Sequence, residues 1–159
     1  MSTPNETRRE KIEELLREVR LMSSFDALFS QAVADRVGMH STDIETMDLL
    51  NTLGPMTAGE LSGHTGLTSG ATTRLIDRLE RAGYVRRRPD ELDRRCVIIE
   101  PVEENLGQLG ALFQPLADGM TELWSKFNDD ELDVIIEFAR QSNAVTAEVN
   151  ARLRAGETG

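Results

Sequence analysis

Apolar residues recur along the first quarter of the chain in steps of three and four: Ile12, Leu15, Leu16, Val19, Met22, Phe25, Phe29, Val33 and Val37. That spacing is one stripe of an α-helix, so a long helix is predicted over 6–37. Gly38 is placed to end it. Ser41, Thr42 and Asp43 offer N-caps for a second helix with Ile44, Met47 and Leu50 on its inner face, and Gly54-Pro55 stops it. A short helix over 58–64 follows Thr57 and breaks at Gly66. The next is capped by Thr68 or Ser69, runs to Ala82 and ends at Gly83. Residues 84–88 and 94–99 read as two strands joined by a turn at 89–93, with Val97 and Ile99 on one face.

Beyond the hairpin the helical period returns. Leu106, Leu109, Phe113, Leu116, Met120, Leu123 and Phe127 alternate steps of three and four, the seam of helices packed along their length. Pro115 interrupts that run, so a bend is expected over 111–115. Asn128-Asp129-Asp130 caps a last helix carrying Leu132, Ile135, Ile136, Ala139, Val145, Val149 and Leu153, and the tail over 155–159 is expected to fray. The predicted fold class is mainly α with a small β-hairpin.

Two short helices around a glycine, then a hairpin, is the order of a winged helix-turn-helix. The motif needs a tight turn with positive φ and apolar residues that lock the helix crossing. Leu61, Gly66, Leu67, Leu75 and Leu79 supply these. At 100° per residue, Ala71, Leu75, Leu79 and Ala82 share the inner side of the second helix, with Thr72 and Ile76 beside them. The outer side carries Gly70, Thr73, Arg74, Asp77 and Arg81, with Ser69 and Arg78 at its edges. A recognition helix enters the major groove by its N-terminal end, with small polar and Arg side chains forward. Ser69, Gly70, Thr73 and Arg74 fit that, and Gly70 has no side chain to hold DNA away. The competing reading is an ordinary amphipathic surface helix, and Thr72 is read as a core threonine.

Charge sharpens the picture. The net charge is -10, which argues against a protein that simply coats nucleic acid. Yet residues 74–95 hold eight arginines and five acids, a surplus of +3 against -13 elsewhere. Every basic residue in that window is Arg, whose fork suits phosphate and guanine. In the hairpin, Arg94 is placed at the end of the turn for insertion into a narrow minor groove. Asp93 and Arg95 are read as a local brace, and Arg86 to Arg88 as groove-facing or merely solubilising an exposed strand.

At 159 residues the chain fits one domain and can bury a core without staples. It has no apolar run of membrane-spanning length, and its first residues do not resemble a signal peptide. One cysteine, Cys96, excludes an internal disulfide and fits a reducing, cytoplasmic setting.

The stretch Gly66-Leu67-Thr68-Ser69-Gly70-Ala71-Thr72-Thr73-Arg74-Leu75-Ile76-Asp77-Arg78-Leu79-Glu80, followed by Gly83-Tyr84-Val85, resembles the recognition helix of the MarR (multiple antibiotic resistance regulator) family. Arg88-Pro89-Asp90-Glu91-Leu92-Asp93-Arg94-Arg95 resembles that family's wing. The resemblance implies a single domain over 1–159, with a winged helix-turn-helix lobe over 43–101 and helical dimerisation regions over 6–38 and 102–155. It implies a homodimer on double-stranded, pseudo-palindromic operator DNA, most often repressing. Ser69, Gly70, Thr73, Arg74, Arg78, Arg88, Arg94 and Arg95 are then the DNA-binding set, with Arg95 bracing the wing. It further implies a cleft between dimer helices and lobe for a small aromatic ligand; Met22, Phe25, Phe29, Met47, Phe113 and Trp124 are apolar enough to line it, or to be core. Where the family has Leu-Thr after the second strand, this chain reads Glu100-Pro101-Val102, and Pro101 is suited to start a helix.

Other chemistry is thinly supplied. Cys96 is read as a small residue of the second strand. Glu60 and His64 lie four apart, and His40 is the only other histidine, too few ligands for a zinc site. No metal, cofactor or catalytic set is expected, and the chain is not read as an enzyme. The competing function is a winged-helix module that binds protein rather than DNA.

Overall fold

The computed structural model describes residues 4–91 and 93–156. In chain order the elements are α1 (Pro4–Val37), α2 (Ser41–Leu53), β1 (Met56–Thr57), α3 (Ala58–Thr65), α4 (Ser69–Arg81), β2 (Val85–Pro89) and β3 (Val97–Pro101). A 3-10 turn (Glu103–Asn105) precedes α5 (Gly107–Trp124) and α6 (Asp129–Ala155). They fall into two compact units, Met1–Leu109 and Gly110–Gly159.

In the first unit every helix junction has an identifiable stop. Gly38 takes φ +69° after α1 and Gly54 φ +89° after α2. Thr57 caps α3, accepting from the Glu60 N–H at 3.2 Å while the Glu60 carboxylate accepts from the Thr57 N–H at 2.7 Å. Gly66, at φ 71° and ψ 13°, closes α3 in the left-handed region, and its N–H donates to the Ser62 carbonyl at 2.8 Å. Thr68 then caps α4 by accepting from the Ala71 N–H at 3.3 Å. A left-handed residue followed at once by a new N-cap turns the chain sharply enough to cross α3 with α4.

The core sits where these helices meet a three-stranded antiparallel sheet of order β1-β3-β2. Ile44, Met47 and Leu50 of α2, Leu61 of α3, and Leu75, Ile76 and Leu79 of α4 pack on Met56, Val85 and Ile99; all are buried. Val33 and Ala34 bury the last turns of α1 in the same unit. Leu75, Ile76 and Leu79 of the predicted inner face of α4 are buried, and Thr72 is core as expected, 1% exposed, but Ala71 is half-buried and Ala82, which caps the helix, is exposed.

The second unit contains α6 and most of α5. Asn128 caps α6, accepting from the Glu131 N–H at 3.0 Å. Helix α5 runs through Pro115 without a break in its assignment. Of the predicted tail, Ala155 ends α6 and Gly156 caps it at φ 75°, while 157–159 lie outside the described residues. None of the described helices is long and apolar enough to cross a membrane.

Four expectations need correction. The second strand begins at Val97, not Arg94, because the turn is longer than predicted: the Asp90 N–H donates to Cys96 O at 3.0 Å and the Cys96 N–H to Asp93 O at 2.8 Å. Arg94, Arg95 and Cys96 therefore belong to the turn, and Leu92 within it lies outside the described residues. The cap of α2 is His40 rather than Ser41 to Asp43; Asp43 sits inside the first turn. Pro101 ends β3 opposite Val85 instead of starting a helix, and α5 waits until Gly107. Finally, β1 is not among the predicted strands, since two residues are too few to show a period.

Substituting Ala for Gly66 forces a β-carbon into the left-handed region, at a cost of about 1–2 kcal/mol. Urea denaturation of Gly66→Ala is expected to show a lower midpoint with an unchanged slope. An unchanged midpoint would remove this turn from the account.

Candidate nucleic-acid interface

The arginines of the 74–95 window separate into two groups according to what holds them. Strand alternation puts Arg86 and Arg88 on one face of β2 and Arg87 on the other. Glu100 of β3 is paired directly opposite Arg86 and takes both guanidinium groups, one on each carboxylate oxygen. On the other face Arg87 reaches back to α4, where Nη2 donates to Asp77 at 2.6 Å and Nη1 to Glu80. The Glu80 carboxylate also accepts the Arg87 backbone N–H at 3.2 Å. At the turn, Asp93 accepts from the Arg95 backbone N–H at 3.1 Å and from its Nε at 3.0 Å. Arg78, on α4, is held by Asp43 of α2 through two donors, Nε at 3.1 Å and Nη2.

Arg74, Arg81 and Arg94 form the second group. All three are exposed and, among the described residues, make no side-chain ion pair. Arg74 lies beside Gly70: a β-carbon built at Gly70 would meet nothing nearer than the Arg74 Nη1, at 3.8 Å. Ser69 and Thr73 are exposed on the same open end, the Thr73 hydroxyl donating to Ser69 O at 2.9 Å. The first turn of α4 contains no acid to offset the positive end of the helix, and of its N–H groups that of Ala71 is taken by the Thr68 cap. Arg94 stands exposed on the wing turn, which Asp93 and Arg95 brace as predicted.

Of the eight predicted DNA-binding residues, then, Ser69, Gly70, Thr73, Arg74 and Arg94 are open, while Arg78, Arg88 and Arg95 are committed to carboxylates. Arg86 to Arg88 all close ion pairs. Sequence reasoning missed Glu100 as the hub of Arg86 and Arg88; in an antiparallel hairpin its place opposite Arg86 follows only from the register. Glu80 and Asp77, one turn apart, were legible as α4 acids but not as partners of the wing.

The arrangement belongs to a known architecture. The sequence profile of the MarR family matches residues 39–97. An HTH-type transcriptional regulator of Bacillus subtilis, YcgE, is 39% identical over 154 residues, 97% of this chain and 99% of its own. This chain belongs to the MarR family. The transcriptional repressor MprA of Escherichia coli K12 is 30% identical over 82 residues, 52% of this chain and 47% of its own. Among solved structures, a mutant MarR from E. coli complexed with operator DNA matches with a TM-score of 0.53 at 20% identity, covering 83% of this chain and 95% of that one. The fold is the winged helix-turn-helix of MarR regulators, and this family regulator is not an enzyme.

The residues proposed for a ligand cleft divide between the two units. Met47 is 2% exposed, in the core of the first unit. Met22 and Phe25 are exposed on α1, Phe29 is half-buried, and Phe113 and Trp124 lie in the second unit. A pocket of about 510 Å³ opens in the first unit beside Leu50, Gly54, Arg86, Glu100 and Leu106, and none of the six lines it. Glu60, four positions before His64, is used by Thr57, whose backbone N–H and hydroxyl hold its pKa below the usual value. Among the described residues no three potential ligands gather for a metal.

Acid should loosen the wing first. The Arg88 and Arg86 guanidinium groups hold the Glu100 carboxyl below the usual range, and the Arg95 side chain does the same for Asp93. A depressed folded pKa means the stabilisation is complete above the unfolded values, about 4, and is lost as pH falls through the lower folded ones. Hairpin amides followed by NMR are expected to lose protection below about pH 4 before those of α2. In Glu100→Gln the loosening is already present at neutral pH, and its acid response is shallower. An identical acid response in wild type and variant would show that Glu100 does not hold the wing.

Proposed function

We propose that this MarR-family regulator is a homodimeric, sequence-specific repressor, whose α4 enters the major groove of double-stranded DNA and whose wing turn reaches the adjacent minor groove. The observation that carries this reading is the open N-terminal end of α4, with Ser69, Gly70, Thr73 and an unpaired Arg74, beside an unpaired Arg94 on a braced turn. Arginine left without a carboxylate on an otherwise acidic chain is surface kept available for a polyanion. Arg88 and Arg95 act by fixing the wing on which Arg94 is mounted.

Exposed apolar side chains support the dimer. On α1, Ile12, Leu15, Leu16 and Phe25 are 49–65% exposed, and on α6, Val134, Val145 and Leu153 are 61–69% exposed. Helices that face water with such stripes call for a partner helix. A second copy, joined through 6–38 and 102–155, would set two lobes (43–101) on a pseudo-palindromic operator, their recognition helices about 34–36 Å apart. A dimer seated on a promoter represses by excluding polymerase. A small aromatic ligand that favours another lobe spacing would release DNA by population shift; Met22 and Phe25 of α1 offer exposed apolar surface for it.

The test is fluorescence anisotropy on a duplex that the wild-type protein enriches from random DNA, across a salt series. Arg74→Ala is expected to weaken binding at least tenfold and to lower the slope of log affinity against log salt by about 0.9, one phosphate contact. Gly70→Ala is expected to stabilise the fold by about 0.5–1 kcal/mol while weakening DNA binding. Wild-type affinity for Arg74→Ala would remove α4 as the reading element, and salt-insensitive binding would favour the protein-interaction reading.

A further inference from the structure

Burying a carboxylate is costly unless it is paired and hydrogen-bonded. Among the described residues the chain buries two, Glu100 in the wing and Asp43 in the first turn of α2. The partners of Glu100 lie in its own hairpin. The partner of Asp43 is on another helix, 35 positions on: Arg78 of α4, whose Nε and Nη2 donate to the two carboxylate oxygens. This is the bidentate fork that fixes direction as well as distance. The Asp43 side chain is 4% exposed and that of Arg78 41%.

Asp43 also faces the junction of α1 and α2. Its carboxylate accepts from the His40 N–H at 3.4 Å, and its own N–H donates to His40 O at 2.9 Å. Two residues earlier Gly38, at φ +69°, makes the bend, and the Met39 N–H returns to Ala34 O at 2.9 Å. Val33 and Ala34 are 4% and 0% exposed. A buried end of α1, a hydrogen-bonded bend and one carboxylate thus lead in an unbroken line to the last turn of the recognition helix.

We propose that Asp43 and Arg78 are a positioning pair that fixes the angle of α4 against α1 and α2, and that Arg78 serves DNA binding through this pair rather than by touching phosphate. The proposal rests on the reading of α4 as the recognition helix. Its consequence is that movement of α1, the helix proposed to join two copies, reaches the DNA-reading surface through this ion pair as well as through the shared core. Arg74, one turn earlier, keeps its charge for DNA, whereas that of Arg78 is engaged by Asp43.

The two possible roles of Arg78 give opposite signs for one substitution. Asp43→Asn removes a negative charge from the lobe and frees Arg78, and by charge alone that strengthens binding to a polyanion. If the pair positions α4, Asp43→Asn instead weakens binding to the selected duplex, roughly tenfold, with the salt slope unchanged. Arg78→Gln does the same, and the double variant binds no worse than either single one. Anisotropy across a salt series reads all four proteins, with circular-dichroism melts to establish that each is folded.

Tighter or equal binding by Asp43→Asn would overturn the proposal, as would a salt slope lowered by about 0.9 in Arg78→Gln. Should Asp43→Asn not fold, the slope of the half-exposed Arg78→Gln decides. If the wild-type protein enriches no duplex at all, the reading of α4 fails and this role falls with it, a result distinguishable because it needs no variant.

Discussion

Arg87 leaves the inner face of β2 and meets Asp77 and Glu80 on α4, and the geometry of the surface proposed to face DNA depends on that meeting. A hairpin of two five-residue strands is marginal by itself. It becomes a rigid wing here because Val85 and Ile99 sink into the core while Arg87 joins it to the recognition helix. Glu100 on the opposite face gathers Arg86 and Arg88, so that neighbouring cations do not repel the strand apart. Exposed ion pairs contribute little singly, but a network built on a half-buried arginine and a nearly buried glutamate constrains direction. The result is one body in which the open end of α4 and the wing turn keep a fixed relation.

That body resolves an apparent contradiction in the chain's charge. A protein of net charge -10 is an unpromising ligand for a polyanion. Most acids near the interface are nevertheless engaged: Asp43, Asp77, Glu80, Asp93 and Glu100 each hold an arginine. Local pairing cancels their repulsion of phosphate and leaves Arg74, Arg81 and Arg94 as the uncompensated charge. Non-specific attraction is thereby kept low, and binding must come from a well-fitted site, which suits a regulator that has to find one sequence among many.

Much of this was legible in the sequence, for physical reasons. Helix periods in α1, α4 and α6 are long enough to count, and Gly66 and Gly83 mark turns that only a positive φ permits. The inner face of α4 and the openness of Gly70 and Arg74 follow from angle alone. What escaped depends on pairing between distant segments. The turn extends to Cys96 because backbone bonds close it there, and no local propensity reveals that. That Arg88 and Arg78, both expected at DNA, also pair with Glu100 and Asp43 was hidden because those carboxylates lie 12 and 35 positions away. Periodicity places Met47 on an inner face without saying what covers that face, which left core and cleft both open; it is 2% exposed.

Enrichment of duplexes from a random pool by the intact protein, followed by sequencing, tests the central claim most directly. The account predicts an inverted repeat whose half-site centres lie about 10–10.5 base pairs apart, as two symmetric recognition helices require. Absence of any enriched sequence, or enrichment of a single unrepeated element, would contradict it.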